Sequence, residues 1–397
     1  MTQLLDGDRM MRMKTLSCNY KMLNPNIVSC DGCYVIDESG KRYVDFEAGV
    51  WCLSLGHNNK QVNDAIIRQL GSVSHVGYRY TAKIVDEAAE KILDLLDFLD
   101  GKCVFLSSGS EAVEFGVQAA KKIMGKPCFL CINNFYLSAY GISAARSKEQ
   151  WISLALSEYD GNQSNFLESI PFDKIGAFVF EPGNASGTAN LPPKELIEAI
   201  ASNIKEAGGM IIVDEVTTGA GRTGKWFGFE HYGIRPDIVA MGKGIGNGYP
   251  VSVVAMTKAI ADSAEKSGFR YAQSHQDDPL SCAIVKEVIS VIENGGYVQR
   301  SARMGAVLKR ELNSLIGRHK SVKEVRGAGL MCVAEFWRNE NLPLEKIHQE
   351  LFDRGYIVGV IDAPATKLLR FYPPLTIEEA HITGVVAALD SILLAYS

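Results

Sequence analysis

The sequence has no run of roughly 18 uninterrupted apolar residues, the length a helix needs to cross a bilayer, so no membrane-spanning segment is expected. Its opening stretch, MTQLLDGDRMMRMKTLSCNYK, lacks the apolar core and small-residue cleavage site of a secretion signal, and a cytoplasmic location is expected. Charge of one sign is scarce. With 41 basic against 46 acidic residues the formal charge is −5, too small to draw the chain to nucleic acid or an anionic membrane, which leaves small-molecule chemistry. Nine cysteines, an odd number spread over a long chain, argue against a disulfide framework and for reduced thiols. There are no repeats of solenoid or propeller period, no low-complexity tract and no long linker, so any lobes must pack closely together.

What is present is material for a large core: 397 residues, 47% of them hydrophobic, enough for two or three lobes. Short apolar β-rich runs alternate with helical patterns through the middle of the chain. KCVFLS precedes SEAVEFGVQAAKKIM, CFLCI follows, IGAFVFEP precedes PKELIEAIASNIKEA, and then comes MIIVDEV. That rhythm predicts an α/β fold with a mostly parallel sheet covered by helices. Gly125 and Pro127 stop one helix, and Gly208-Gly209 stops another. From about residue 281 the amphipathic pattern SCAIVKEVISVIENGG opens a segment that ends in short strands and a last helix. The expected organisation is an N-terminal segment over 1–45, a large domain over 46–280 and a smaller α+β domain over 281–397. Two cysteine pairs have C-x-x-C spacing. Cys30 and Cys33 flank an Asp-Gly turn, while Cys128 and Cys131 would point to opposite faces of a strand, a poor presentation of zinc ligands. They read as packing residues, and no metal is expected.

Ser107-Ser108-Gly109-Ser110-Glu111 stands where an apolar strand meets a helix. Ser108 and Glu111 have capping-box spacing, and the same helix start offers free N–H groups to a phosphate, so both readings stand. GAGRTGKW nearly matches a phosphate-binding P-loop but places Trp226 where Ser or Thr would hold magnesium. MGKGIGNG lacks the third glycine of a dinucleotide fingerprint, at Asn247 in one register and Tyr249 in the other. A nucleotide-binding protein is thereby disfavoured. What remains is a strand ending in an acid, Asp214, then a glycine-rich loop, then an apolar run that delivers Lys243 into glycines. A lysine emerging in apolar surroundings favours its neutral, nucleophilic amine. An acid beside it is what a protonated pyridine nitrogen requires.

Over almost its whole length the chain resembles the class III aminotransferases, pyridoxal-phosphate enzymes of fold type I. The likeness runs through DGCYVIDESGKRYVDFEAGVWCLSLGH, SSGSEAVE, FEP, VDEVTTGAGRTGKWFGFEHYGIRPDIVAMGKGIGNGYP, VRGAGLM and LRFYPPLT. The resemblance implies Lys243 as the Schiff-base lysine, Asp214 on the pyridine nitrogen and Val216 on one face of the ring. It implies Phe135 stacked over the other face, and Gly109 with Ser110 as the phosphate cradle. It also implies a homodimer with shared sites, in which Ser274 reaches the phosphate of the neighbouring subunit. Arg370 matches the arginine that binds a substrate carboxylate, a task suited to a two-pronged guanidinium. The implied reaction moves an amino group from an amino acid or amine to a 2-oxo acid. An aminomutase, racemase or decarboxylase would keep the same cofactor residues.

Several positions depart from the family pattern. The usual aromatic-His-Gly-Arg reads Phe135-Tyr136-Leu137-Ser138, and the usual glutamine after Asp-Glu-Val is Thr217. Five residues beyond Glu181, where ornithine and 4-aminobutyrate transaminases carry a glutamate that masks the carboxylate-binding arginine, stands Ser186. Arg370 is therefore expected to be unmasked. Glu181 reads either as a turn cap or as support for the site. Trp51 reads either as core or as a wall of the substrate pocket.

Overall fold

The computed structural model describes residues 26–396 apart from 160, 184–185 and 338–341. The first 25 residues, most of the expected segment 1–45 and all of the stretch read for a secretion signal, lie outside the described residues. Seven strands build the central sheet: β1 (Lys102–Leu106), β2 (Cys128–Ile132), β3 (Trp151–Leu154), β4 (Ile175–Phe180), β5 (Met210–Asp214), β6 (Ile238–Met241) and β7 (Ser252–Met256). Their order across the sheet is β1-β7-β6-β5-β4-β2-β3. Strands β2 to β6 pair in parallel. β7 runs antiparallel to both β6 and β1, so β1 points the same way as the parallel set. The mostly parallel sheet predicted from the alternating pattern is the sheet the chain forms.

Every residue of β4 to β7 is buried, as strands covered on both faces must be. Alternate residues divide between the two faces. Ile238 and Ala240 pack with Phe115, Ile197 and Ile200, whereas Val239 and Met241 pack with Ile92, Phe105 and Ile289 on the other side. The helix Gly109–Met124 starts at Ser108, whose hydroxyl accepts the Glu111 N–H at 3.2 Å. The Glu111 carboxylate returns to the N–H of Ser107 at 3.0 Å instead of that of Ser108, so the box closes one residue early. Gly125 ends this helix at φ 63°, a left-handed conformation that glycine adopts without penalty.

The glycine-rich loop after β5 joins the two halves of the molecule. Arg222 is fully buried and donates to the carbonyls of Leu330, at 3.1 Å, and Pro373. Its own carbonyl accepts the Leu330 N–H and the Ser301 hydroxyl, both at 3.0 Å. Burial pushes the guanidinium down to about 10. The near-match to a P-loop is thus a strut: Arg222 is spent on two carbonyls, and Lys225 donates to the Glu230 carbonyl at 2.8 Å.

The C-terminal half carries an antiparallel sheet in the order Val322–Ala328, Met331–Phe336, Thr366–Phe371, Gly359–Ala363. The helices Tyr297–Asn313, Leu344–Asp353 and Glu379–Leu394 close over it around Leu308, Phe336, Leu351 and Leu389. The strands Ile27–Asp31, Tyr34–Asp37 and Arg42–Asp45 form a third sheet completed by Tyr356–Ile357. The helix Pro279–Asn294 packs on Lys60–Leu70 and Lys83–Leu96, against one face of the central sheet. Among the described residues eight cysteines are free thiols, and Cys131 rests its sulfur 3.4 Å from the Ser153 hydroxyl. Among the described residues no helix is long and apolar enough to cross a membrane.

Candidate active site

The parallel strands end on one side of the central sheet, and four of them carry polar residues there. Ser107-Ser108 follow β1, Glu181 follows β4, Asp214 ends β5 and Lys243 stands two residues after β6. The carboxyl edge of such a sheet is where strand order leaves a crevice for a ligand. A cavity of about 340 Å³ opens there, lined by Asp214, Val216 and Lys243 and by Ser108, Gly109 and Ser110 at the helix start. Trp51 and Tyr136 also line it.

Lys243 has φ 46°, in the left-handed region that a lysine rarely occupies, which marks strain held at this position. Its Nζ donates to the Thr217 hydroxyl at 2.9 Å and lies 5.0 Å from the centre of the Trp51 ring. Burial lowers its pKa, and the nearby carboxylates of Asp214 and Glu181 oppose that shift without cancelling it. Asp214 is buried, and one carboxylate oxygen accepts the Val216 N–H at 2.9 Å. Burial raises Asp214 to about 6, against the pull of that N–H and of Lys243. Glu181 accepts the Tyr136 N–H at 3.0 Å through one oxygen, while its other oxygen is buried with no hydrogen-bond partner among the described residues. Burial, reinforced by the Asp214 charge, pushes Glu181 well above its ordinary value. Glu181 therefore holds the loop that carries Tyr136, 45 positions away in the chain, and not, among the described residues, the turn that follows β4. Glu215, next to Asp214, accepts from the Thr218 hydroxyl at 2.6 Å and from the N–H groups of Gly228 and Phe229 at 2.8 Å. It staples the glycine-rich loop and does not line the cavity.

Gly109 and Val216 meet so closely that a Cβ on Gly109 would stand 2.5 Å from a Val216 methyl. The cavity wall is set by the absence of that one atom. Gly109→Ala is expected to destabilise the protein by about 1–3 kcal/mol through overpacking, read as a lowered thermal midpoint. The expected assignment of Phe135 to the cavity is corrected by the structure. Phe135 is 3% exposed and packs on Phe180, with ring centres 6.1 Å apart, whereas its neighbour Tyr136 lines the cavity. Adjacent residues point in opposite directions here, and the bond from Tyr136 N–H to Glu181 sets which one faces in. Ser110 lines the cavity and its hydroxyl accepts the Ala139 N–H at 3.0 Å. Ser274 is exposed and is not among the cavity-lining residues of its own chain.

Residues 48 to 51 are the unexpected part of the site. Ala48, Gly49, Val50 and Trp51 all have positive φ, from 45° to 67°, a single left-handed turn. Asp45 holds it: its carboxylate accepts the N–H groups of Glu47 at 2.8 Å and Gly49 at 3.1 Å, and the ring of His57 at 2.8 Å. The turn sets the Trp51 ring into the cavity wall while its edge packs on Tyr372, so Trp51 fills both roles read from the sequence. It also aims Glu47 at Arg370. Nε and Nη2 of Arg370 donate to the two carboxylate oxygens of Glu47 at 2.9 and 2.7 Å, and the guanidinium lies 4.8 Å from the centre of the Trp51 ring. The expectation of an unmasked Arg370 is therefore overturned. The mask comes from residue 47, and position 186 could not have revealed it.

The sequence model of the family described as Aminotransferase class-III matches residues 15–137 and 130–393. This chain belongs to the class III aminotransferases. Its reaction is transamination. The acetylornithine aminotransferase of Bacillus subtilis is 30% identical, with 97% of this chain and 99% of that one covered. A Sulfurisphaera tokodaii enzyme named [LysW]-aminoadipate semialdehyde/glutamate semialdehyde transaminase is 29% identical, covering 90% of this chain and 91% of the other. Among solved structures, an S-selective transaminase from Arthrobacter superposes with a TM-score of 0.86 at 26% identity, over 97% of this chain and 95% of that one. Class III aminotransferases depend on pyridoxal phosphate as a family. Tyr136 and Thr217 were read only as departures from the family pattern, and the structure places Tyr136 in the cavity lining and Thr217 as the partner of Lys243. Asp45 and Glu47 carried no signal in the sequence, and the structure ties them to this region through the left-handed turn and through Arg370.

Proposed function

We propose that this aminotransferase holds pyridoxal phosphate in the cavity at the ends of β1, β5 and β6 and transfers an amino group between an amine-bearing donor and a 2-oxo acid. The observation that carries the proposal is the convergence of the Lys243 amine and the buried Asp214 carboxylate in one cavity that a helix N-terminus also lines. The residues fit the group. The opening turn at Gly109 and Ser110 offers amides and a favourable dipole to the phosphate. Asp214 has a carboxylate oxygen to offer the ring nitrogen, Val216 supports one ring face and Tyr136 covers the other. The unpartnered oxygen of Glu181 supplies a further polar group behind that wall.

When bound, the cofactor supplies an electron sink for the bond broken at the substrate carbon. Everything else belongs to the chain. Lys243, inclined to the neutral form by burial, would hold the cofactor and, when free of it, would accept a proton from the substrate carbon on its Nζ. The Thr217 hydroxyl, 2.9 Å away, steadies that amine between the two tasks. Asp214 would keep the ring nitrogen charged. Trp51 walls the cavity and leads from Lys243 to Arg370, where a substrate carboxylate is received. Ser274, exposed in its own chain, would serve the cavity of a second copy. The exposed Tyr78 and Tyr80, on a loop that lines a groove with Asp277, give that copy apolar surface to cover.

The test is a panel of amines and amino acids offered with pyruvate or 2-oxoglutarate to the enzyme loaded with pyridoxal phosphate. Product formation with carboxylate-bearing substrates is expected. Arg370→Lys keeps a charge but loses the fork, so these substrates should lose about 1.5–3 kcal/mol in kcat/KM while simple monoamines change little. Equal losses for both classes would assign Arg370 a structural role.

A further inference from the structure

A transaminase works two substrates in turn over one lysine, so one cavity must accept both. Arg370 and Glu47 stand beside Trp51, a wall of the cavity whose ring centre lies 4.8 Å from the Arg370 guanidinium and 5.0 Å from Lys243 Nζ, and there that requirement is met or fails. Their side chains are 13% and 15% exposed, and the contact is two-pronged. The fold makes room for the pair. A Cβ on Gly359 would stand 2.5 Å from both Arg370 Nη2 and Glu47 Oε1, and one on Gly187 would stand 2.3 Å from Arg370 Nη1. Glu47 itself is held by the left-handed turn that Asp45 anchors. Burial works against the Arg370 charge, and the Glu47 carboxylate more than offsets it, so the guanidinium is held above its ordinary value.

We infer that Glu47 is the residue that sets substrate choice: an internal carboxylate that fills the Arg370 fork for one substrate and yields it to the carboxylate of the other. The inference rests on the proposed role of Arg370 as carboxylate receptor. A 2-oxo acid whose carboxylate reaches Arg370 must compete with Glu47, because the fork has two prongs and Glu47 uses both. A donor with no carboxylate at that reach leaves the pair closed. Without Glu47 such a donor would bind beside a buried, unpaired cation, which is costly. Glu47 thus weakens one class of substrate and admits the other, which is specificity by an opposed pair of effects.

Glu47→Gln keeps the shape and removes the charge. Glutarate, a dicarboxylate with no amine or ketone to react, is titrated into the loaded wild-type and variant enzymes by calorimetry. The inference expects it to bind about tenfold tighter to Glu47→Gln, since the competing charge is gone. In turnover, KM for 2-oxoglutarate should fall by a similar factor, while kcat/KM for a carboxylate-free monoamine should fall. A purely structural role would move both substrates in the same direction. Unchanged or weaker glutarate binding, or parallel losses for both substrate classes, would overturn the inference. If Glu47→Gln folds poorly by circular dichroism, Glu47→Asp carries the same test. Its shorter side chain cannot span both prongs, so glutarate should bind more tightly to it than to wild type, and no tightening would overturn the inference. Calorimetry separates the two layers of the argument: tightening in an enzyme that transaminates none of the panel would leave the Glu47 inference standing and remove the substrate reading. Glutarate that binds neither protein would remove Glu47's role along with that of Arg370.

Discussion

Replacing Lys243 with alanine is expected to abolish the visible absorption of the bound cofactor and to lower turnover by roughly three orders of magnitude or more, the upper part of what a positioned base contributes. The size of the effect follows from the surroundings. Arg370, which shares the Trp51 ring with Lys243, is already paired with Glu47, and a guanidinium stays protonated in any case, so it offers no neutral amine. The fold should survive. Lys243 is half-buried, its left-handed backbone is as accessible to alanine as to lysine, and its one side-chain hydrogen bond among the described residues goes to Thr217. Thermal unfolding of the cofactor-free variant should stay within a few degrees of wild type, because burying an amine is itself unfavourable. A variant that remained coloured and active would place the chemistry on another residue.

Asp214→Asn is expected to retain cofactor through the phosphate and to slow proton transfer by about 3 kcal/mol, the scale of losing one preorganised electrostatic group. The amide oxygen can still accept the Val216 N–H at 2.9 Å, so the side chain should keep its place. What is lost is charge at the ring nitrogen. A second, independent sign accompanies it. The Asp214 charge is among the groups that raise Lys243 against the lowering by burial. Removing it should shift the titration of the Lys243 amine in the cofactor-free protein to lower pH. An upward shift, or proton transfer at the wild-type rate, would show that another group balances the ring nitrogen.

The parts of this molecule that depend on short-range pattern were legible before the structure. The buried runs of β4 to β6, the helix start at Ser108 and the placement of Asp214 and Lys243 at strand ends all follow from hydrophobic period and from residues within a few positions of each other. The failure of the near P-loop was legible too, at Trp226, although its use as a strut between the halves was not. That use depends on the carbonyls of Leu330 and Pro373, more than a hundred residues away. The mask on Arg370 was hidden for the same reason. Glu47 and Arg370 are 323 positions apart, and the left-handed turn that joins them in space contains three non-glycine residues for which such a backbone is disfavoured. Nothing in their identities announces it. Phe135 and Tyr136 illustrate a finer limit: pattern located an aromatic at the cavity, but choosing between neighbours required the hydrogen bond from Tyr136 to Glu181.

The most direct test of the central claim is to load the purified enzyme with pyridoxal phosphate, reduce it with borohydride, digest it and map the modified lysine by mass spectrometry. Reduction converts the linkage between cofactor and amine into a stable secondary amine and so records which residue held it. The account predicts the phosphopyridoxyl label on Lys243, in the peptide that follows β6, and its loss when the amino donor is added before the reductant. A label on any other lysine, or none on a protein that still transaminates, would contradict it.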